Sequence, residues 1–383
     1  MSGYVRRTTR PDKPIASRLG RLDIELTERC DNDCIHCCIN LPAGDRAARA
    51  RELTTGQVKD ILGQAADLGC LRVRYTGGEP LLRSDFEELY LYARQLGMKV
   101  LMFTNARRIT PGLADLLARV PPLETMEVTV YGMRPGSYEA VSRVPGSYTQ
   151  FRRGVDLLLE RGIPFVVKAA LLPPNRVEIH EFEAWAATIP WMTTSPVYSM
   201  FFDLRNRRDD AAKNRLIEAL RPTPEEGLAM LTREPEKYRK EMTEFGGKFM
   251  GPPGDVLFGC GAGHGISVDA YGRAQPCMNV RVPELTVDLV GQGGAAASLA
   301  AALESFEGLR DLRATNPEYL RRCARCFLKG LCEQCPAKSW AEHGSLDTPV
   351  EYLCRVAHAQ ARWLGWLHDG EHGWDVADWR GRL

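Results

Sequence analysis

Between Leu22 and about Phe202, short β-branched and aliphatic runs alternate six times with amphipathic helical stretches. The strand candidates are Leu22–Leu26, Arg72–Tyr75, Lys99–Phe103, Glu127–Val130, Pro164–Ala169 and Val197–Phe202. Thr55–Leu68 carries Val58, Ile61, Leu62, Ala65 and Leu68 on one stripe before Gly69, the pattern of an amphipathic helix and its stop. Asp85–Leu96 is predicted as a helix opened by a Ser84/Glu87 capping box and closed by Gly97, and Gln150–Glu160 as another ending at Gly162. Strands separated by helices line up in parallel, with the helices as crossovers. Six units are too few for an eight-unit barrel, so the predicted class is α/β with a partial (β/α)6 TIM-like barrel.

Beyond Phe202 the character changes. Arg205–Asp210 and Arg233–Lys248 are charge-rich, and Pro252-Pro253-Gly254 marks a boundary. From Phe258 the chain is rich in Gly and Cys, with one long periodic stretch near Val350–His368. The predicted division is a segment 1–21, the barrel 22–202, a charged helical bridge 203–257, a loop-rich cysteine domain 258–360 and a tail 361–383. A region this poor in periodic segments is stapled by metal rather than held by a large core.

Twelve cysteines in 383 residues sharpen that expectation. There is no apolar stretch of the roughly 20 residues a membrane span needs, and no secretory h-region in Met1–Pro14. The chain is therefore expected in the cytoplasm, where clustered cysteines serve metal or redox chemistry. With 50 Lys and Arg against 49 Asp and Glu, interspersed, it offers no basic face for nucleic acid.

Cys30, Cys34 and Cys37 follow the first strand directly. Their spacing is also a helical stripe, but Asp31, Asn32 and Asp33 between them favour a loop. Three thiolates in eight residues can hold three irons of a cubane and leave the fourth open. Zinc is the competing metal, with His36 as a further ligand. Cys38 reads as packing. Gly77-Gly78-Glu79-Pro80 follows the second strand, at the same strand ends, where parallel β/α folds place their ligands. Adjacent glycines permit close approach, and Glu79 can meet an ammonium.

A Cys-x3-Cys-x2-Cys loop after strand one, with Gly-Gly-Glu-Pro after strand two, resembles the radical S-adenosylmethionine (SAM) superfamily. The resemblance implies that Cys30, Cys34 and Cys37 ligate a [4Fe–4S] cluster whose open iron takes the methionine moiety of SAM. It also implies that Gly77, Gly78, Glu79 and Pro80 contact the amino group. His36 departs from the aromatic residue many members carry before the third cysteine. At the other strand ends, Thr104, Asn105 and Thr129 are cofactor-contact candidates. Lys168 lies in an apolar strand and needs either a way outward or a carboxylate partner, such as that of the cofactor. Asp203 and Arg205 are weaker candidates for facing a substrate.

The later cysteines, with Cys323-x2-Cys326 and Cys332-x2-Cys335, would also suit zinc ribbons. Their layout resembles the SPASM extension of peptide-modifying radical SAM enzymes, although the family commonly has three residues where Cys332-x2-Cys335 has two. That resemblance implies one auxiliary [4Fe–4S] cluster on Cys323, Cys326, Cys332 and Cys354, and a second on Cys260, Cys277 and Cys335 that needs a ligand other than Cys. The Gly259–Gly265 stretch lacks the context of a nucleotide loop and is expected to donate backbone N–H groups to cluster sulfur.

The implied activity is reductive cleavage of SAM to a 5′-deoxyadenosyl radical, which abstracts hydrogen from a substrate. Neither Cys38 nor Cys70 is well placed as a hydrogen donor, which favours oxidation or cross-linking over epimerisation. The resemblance points to a ribosomally synthesised peptide and to a flavodoxin- or ferredoxin-type electron donor. Only 21 residues precede Leu22, so a leader-peptide reader is expected to be a separate protein. The alternatives are a dehydrogenase or epimerase of a sugar or other small natural-product precursor, and a zinc-stabilised scaffold without chemistry. No catalytic acid or base is assigned from the sequence.

Overall fold

The computed structural model describes residues 19–39, 41–199, 210–291, 295–332 and 335–383. The chain divides into two units.

The first unit comprises residues up to 199 together with 263–278 and 283–306. Its sheet holds β1 (Arg21–Thr27), β2 (Arg72–Gly77), β3 (Lys99–Thr104), β4 (Met126–Val130), β5 (Phe165–Ala170) and β6 (Val197–Ser199), side by side in chain order and all parallel. All six strands begin where the sequence places them to within one residue. For the sixth, the stretch expected beyond Ser199, with Asp203 and Arg205, lies outside the described residues. The crossover helices are α1 (Thr55–Asp67), α2 (Phe86–Gln95), α3 (Pro111–Arg119), α4 (Pro135–Ser142), α5 (Ser147–Glu160) and α6 (Ile179–Ala186). Among the described residues the sheet does not close on itself, so the barrel is partial.

Alternation along each strand sets the two faces. In β1, Leu22, Ile24 and Leu26 are buried on one side and Asp23, Glu25 and Thr27 on the other. The apolar side packs with helix stripes such as Val58, Ile61, Leu62 and Ala65 of α1. The other side makes the barrel interior polar, as where Arg74 of β2 lies 3.6 Å from Asp23.

Three further strands lengthen the sheet beyond β1. Strand β7 (Gly265–Val268) pairs in parallel with β1, β8 (Arg273–Gln275) returns antiparallel, and β9 (Val287–Asp288) pairs with β8. The sequence boundary at 258 assigns these residues to the cysteine domain, whereas they belong here to the first unit. A four-residue strand carries no periodicity to read, and its place comes from pairing with β1. The expected Ser84/Glu87 capping box does not form either. Helix α2 begins at Phe86 with Asp85 at the N-cap and no side-chain cap bond. The Asp85 carboxylate instead accepts from Arg83 and from Thr55 Oγ1 at 2.7 Å.

The second unit comprises 200–262, 279–282 and 307–383. Its helices include Pro235–Phe249, Pro336–His343 and Glu351–Leu364. Tyr238, Phe327, Leu328, Ala361, Leu364, Trp366, Leu367 and Val376 build one apolar core. The stretches read from sequence as a solvated bridge and a tail therefore both supply core residues.

Candidate functional sites

The loop after β1 is irregular from Asp31 to Ile39, as the Asp-Asn-Asp run predicts. It is pinned from two sides. Asp33 N and Ile35 N donate to the Ser142 and Val141 carbonyls at the end of α4, at 2.9 and 3.0 Å. From the turn after β3, Asn105 Nδ2 donates to Asp31 Oδ1 (2.8 Å), Arg108 Nε to Asp31 Oδ2 (2.9 Å), and Arg107 to the Asp31 carbonyl and Asn32 Oδ1.

The loop and the strand ends enclose a cavity of about 160 Å³. Cys30, Cys34 and Cys37 line it together with Gly77, Gly78, Glu79, Thr104, Asn105, Thr129 and Lys168. Of the residues predicted for this site only Pro80 is not in the wall. It opens a single 3₁₀ turn, Pro80–Leu82, behind Glu79. Thr76, Phe103 and Tyr131 complete the wall. They went unassigned because a strand-end Thr or aromatic has no spacing signature, although all three adjoin or fall within predicted motifs.

The two glycines owe their identity to the chain itself. A Cβ on Gly77 would stand 2.1 Å from the Thr27 carbonyl oxygen, and one on Gly78 would stand 2.2 Å from that of Arg29. Gly77 also has φ +122°, a conformation left to glycine. Gly78 N and Glu79 N donate to the Thr27 and Arg29 carbonyls, at 2.7 and 2.9 Å. The tetrapeptide is thus locked to the root of the cysteine loop.

Glu79 is almost wholly buried. Its Oε1 accepts from Thr104 Oγ1 (2.8 Å) and Leu81 N (3.2 Å), and its Oε2 from Asn105 N (2.8 Å). Burial, with Asp31 nearby, raises its pKa to about 8 despite these donors. Burial also raises Cys30, with Glu79 adding to the effect, and raises Cys34, with Cys37 adding to it. Tyr131 opposes the latter by hydrogen-bonding Cys34.

Lys168 meets a carboxylate, as an apolar strand requires, and that carboxylate is Glu127 on β4, at 2.7 Å. Its Nζ also lies 3.5 Å from the centroid of Phe103. Strand pairing sets Phe103 opposite Glu127 and Thr129 opposite Lys168.

A second cysteine pocket lies within the second unit. Cys323, Cys326, Cys332 and Cys354 line it together, with Leu328, Val350, Ala357, His358 and Trp374 making its walls largely apolar. His358 Nδ1 donates to the Cys354 carbonyl at 2.8 Å, while Nε2 accepts from Gly373 N at 3.0 Å, which identifies the neutral Nδ1–H tautomer. Burial lowers its pKa in keeping with that form. Arg322 donates to Cys354 Sγ at 3.5 Å, and its guanidinium lies 4.7 Å over the Trp374 ring. Arg322, His358 and Trp374 had no motif to mark them. Cys277 belongs to the first unit, and Cys260 and Cys335 to the second. In the Gly-rich stretch, the N–H of Gly263 is already bonded to the Pro276 carbonyl, at 3.1 Å.

Residues 24–186 match the Radical SAM superfamily. The AdoMet-dependent heme synthase of Methanosarcina barkeri is 26% identical over 338 residues, covering 84% of this chain and 92% of that protein. The PqqA peptide cyclase of Xanthomonas axonopodis pv. citri is 25% identical over 328 residues, covering 82% and 79%. In fold, native anSMEcpe with bound AdoMet superposes with a TM-score of 0.61 at 10% identity, over 90% of this chain and 96% of that one.

Residues 24–186, within the first unit, are thus a radical SAM domain, and the chain is an enzyme of radical SAM chemistry. Members of this family work with SAM and a [4Fe–4S] cluster. No helix among the described residues is long and apolar enough to cross a membrane.

Proposed function

We propose that this enzyme oxidatively modifies or cross-links a ribosomally synthesised peptide, with radical chemistry at the cavity lined by Cys30, Cys34 and Cys37. The single observation that carries this reading is the convergence of the three thiols with Gly77, Gly78, Glu79 and Lys168 around one cavity at the strand ends. The donor set fits a cluster. Three thiols line one cavity, the soft donors that hold iron–sulfur clusters, one short of the four ligands of a structural zinc site. With the cluster on these three cysteines, reductive cleavage of SAM supplies the 5′-deoxyadenosyl radical that takes a hydrogen atom from the substrate.

The chain's own residues hold the parts in place. Asn105, Arg107 and Arg108 fix the loop that carries the thiols. The turn Gly77–Glu79 offers the amino-group contact of SAM, with Pro80 holding its shape from behind. Thr104, Thr129 and Lys168 offer polar groups for the remainder of the cofactor or the substrate. Cys323, Cys326, Cys332 and Cys354 would hold an auxiliary [4Fe–4S] cluster in the apolar pocket of the second unit. Such clusters can accept the electron of a substrate radical, which favours net oxidation. The PqqA peptide cyclase relationship supports a peptide substrate. The heme synthase relationship favours the second reading, oxidation of a small-molecule precursor.

The test is anaerobic reconstitution with iron and sulfide, followed by SAM, a strong reductant and candidate precursor peptides. Mass spectrometry should show 5′-deoxyadenosine and a peptide lighter by pairs of hydrogens. Both should vanish when Cys30, Cys34 and Cys37 are replaced by Ala. Deoxyadenosine formation with unchanged peptides and an oxidised small-molecule precursor would favour the second reading.

A further inference from the structure

A second opening reaches the same cysteine loop. It is a groove of about 740 Å³ within the first unit. It shares no lining residue with the thiol cavity. The two are divided by the Cys30–Asn32 loop and the Asn105–Arg108 turn, which offer Cys30 and Asn105 to the cavity and Asp31, Arg107 and Arg108 to the groove. Arg83, Arg107, Arg108 and Arg153 face Asp31 and Glu87 here, four guanidinium groups against two carboxylates on a chain of formal net charge +1.

The charges divide into a floor and a rim. Arg107 is nearly buried and donates to the Asp31 carbonyl, to Asn32 Oδ1 (2.6 Å) and to Gln150 Oε1 (2.9 and 2.6 Å). Arg83 is also buried, and Asp85 occupies it. At the rim, Arg108 is half-exposed and pairs with Asp31 at 2.9 Å. Arg153 on α5 is exposed and makes no hydrogen bond or ion pair among the described residues. The floor is tied by hydrogen bonds, and the rim presents Arg108 and Arg153 to solvent alongside the exposed Glu87.

We infer that this groove is the docking surface for a small acidic electron-carrier protein, which reduces the first cluster directly. The inference rests on the cluster assignment above. A turnover needs an electron while the cavity holds SAM and substrate, so the donor must approach from elsewhere. The groove is the second approach to the loop, and its floor residue Asp31 directly follows Cys30, about 3.8 Å away along the backbone. Arginine is enriched at protein–protein interfaces, and opposite charge on the partner speeds encounter. A wide, open, polar groove also suits a protein surface better than the apolar enclosure a small molecule needs. The step is a one-electron transfer. The carrier is oxidised by one electron, the centre on Cys30, Cys34 and Cys37 is reduced by one, and no bond or proton changes hands.

Flavodoxin is the probe. In the reconstituted full-length enzyme, Arg108→Glu with Arg153→Glu should weaken flavodoxin binding at low salt by roughly tenfold or more, measured by calorimetry. The rate at which flavodoxin hydroquinone bleaches the cluster absorbance should fall in parallel. Reduction by dithionite and binding of SAM should stay unchanged in Arg153→Glu alone, because Arg108 also holds the cysteine loop through Asp31. Arg153→Glu alone, which breaks no contact within the protein, should give part of the loss. Wild-type binding and reduction rates in both variants at full iron content would overturn the docking surface and leave the cluster assignment intact. Weakened binding of an acidic substrate peptide with unchanged flavodoxin reduction would overturn it too. A chain that takes up no iron would overturn both.

Discussion

Glu79 shows how much a single buried side chain does in this site. It joins the end of β2 to the start of the turn after β3 by accepting from Thr104 and Asn105, and Asn105 in turn holds Asp31 beside Cys30. Its burial carries a consequence for stability. The carboxyl is raised from 4.5 to about 8, so across that window the folded chain retains a proton that the unfolded chain has released. The sign follows: stability of the ligand-free protein should fall as pH rises from about 4.5 to 8. Glu79→Gln removes the titration and should flatten that slope, measured by denaturant unfolding at pH 5, 6.5 and 8. An unchanged slope in the variant would assign the effect to another group.

At the scale of elements, the helices obey local rules where the sequence offers them and depart where a distant partner competes. Thr54 and Gln57 form a complete capping box on α1, with Thr54 N donating to Gln57 Oε1 at 2.9 Å and Gln57 N to Thr54 Oγ1 at 3.3 Å. Thr54→Ala should cost about 1 kcal/mol of stability and leave the site untouched, as read by thermal unfolding together with iron content. At α2 the helix begins at Phe86, and Asp85 at its N-cap makes no cap bond because Arg83 and Thr55 already occupy its carboxylate. The same Arg83 donates to the Leu26 and Leu53 carbonyls, tying the segment to the end of β1.

At the scale of the whole molecule, each unit brings together its own cysteine group. In the second unit the final residues belong to the pocket. Gly373 is so near Cys326 that a Cβ would stand 2.7 Å from its sulfur, and Trp374 forms part of the wall. A chain ending at Gly370 also loses Val376 from the apolar core and the Arg382–Glu371 ion pair. We expect such a truncation to lose iron from the second unit while the first site keeps its own. Iron per chain and the electron paramagnetic resonance of the reduced protein would check this. Full iron content in the truncated chain would show that the segment only packs.

The strand–helix alternation, the loop character of Cys30–Cys37 and the placement of Gly-Gly-Glu at a strand end were all legible in the sequence. Each rests on neighbours: side-chain periodicity, turn propensity and covalent spacing operate within a few residues. Tertiary structure alone decided the rest. It set β7 beside β1 across more than two hundred residues, and made Thr27 and Arg29 the reason that positions 77 and 78 must be glycine. It gave Lys168 to Glu127, and closed the second pocket with Arg322, His358, Gly373 and Trp374. These pairings join single groups far apart in the chain. Burial and hydrogen-bond satisfaction select them only once the backbone has brought the partners together.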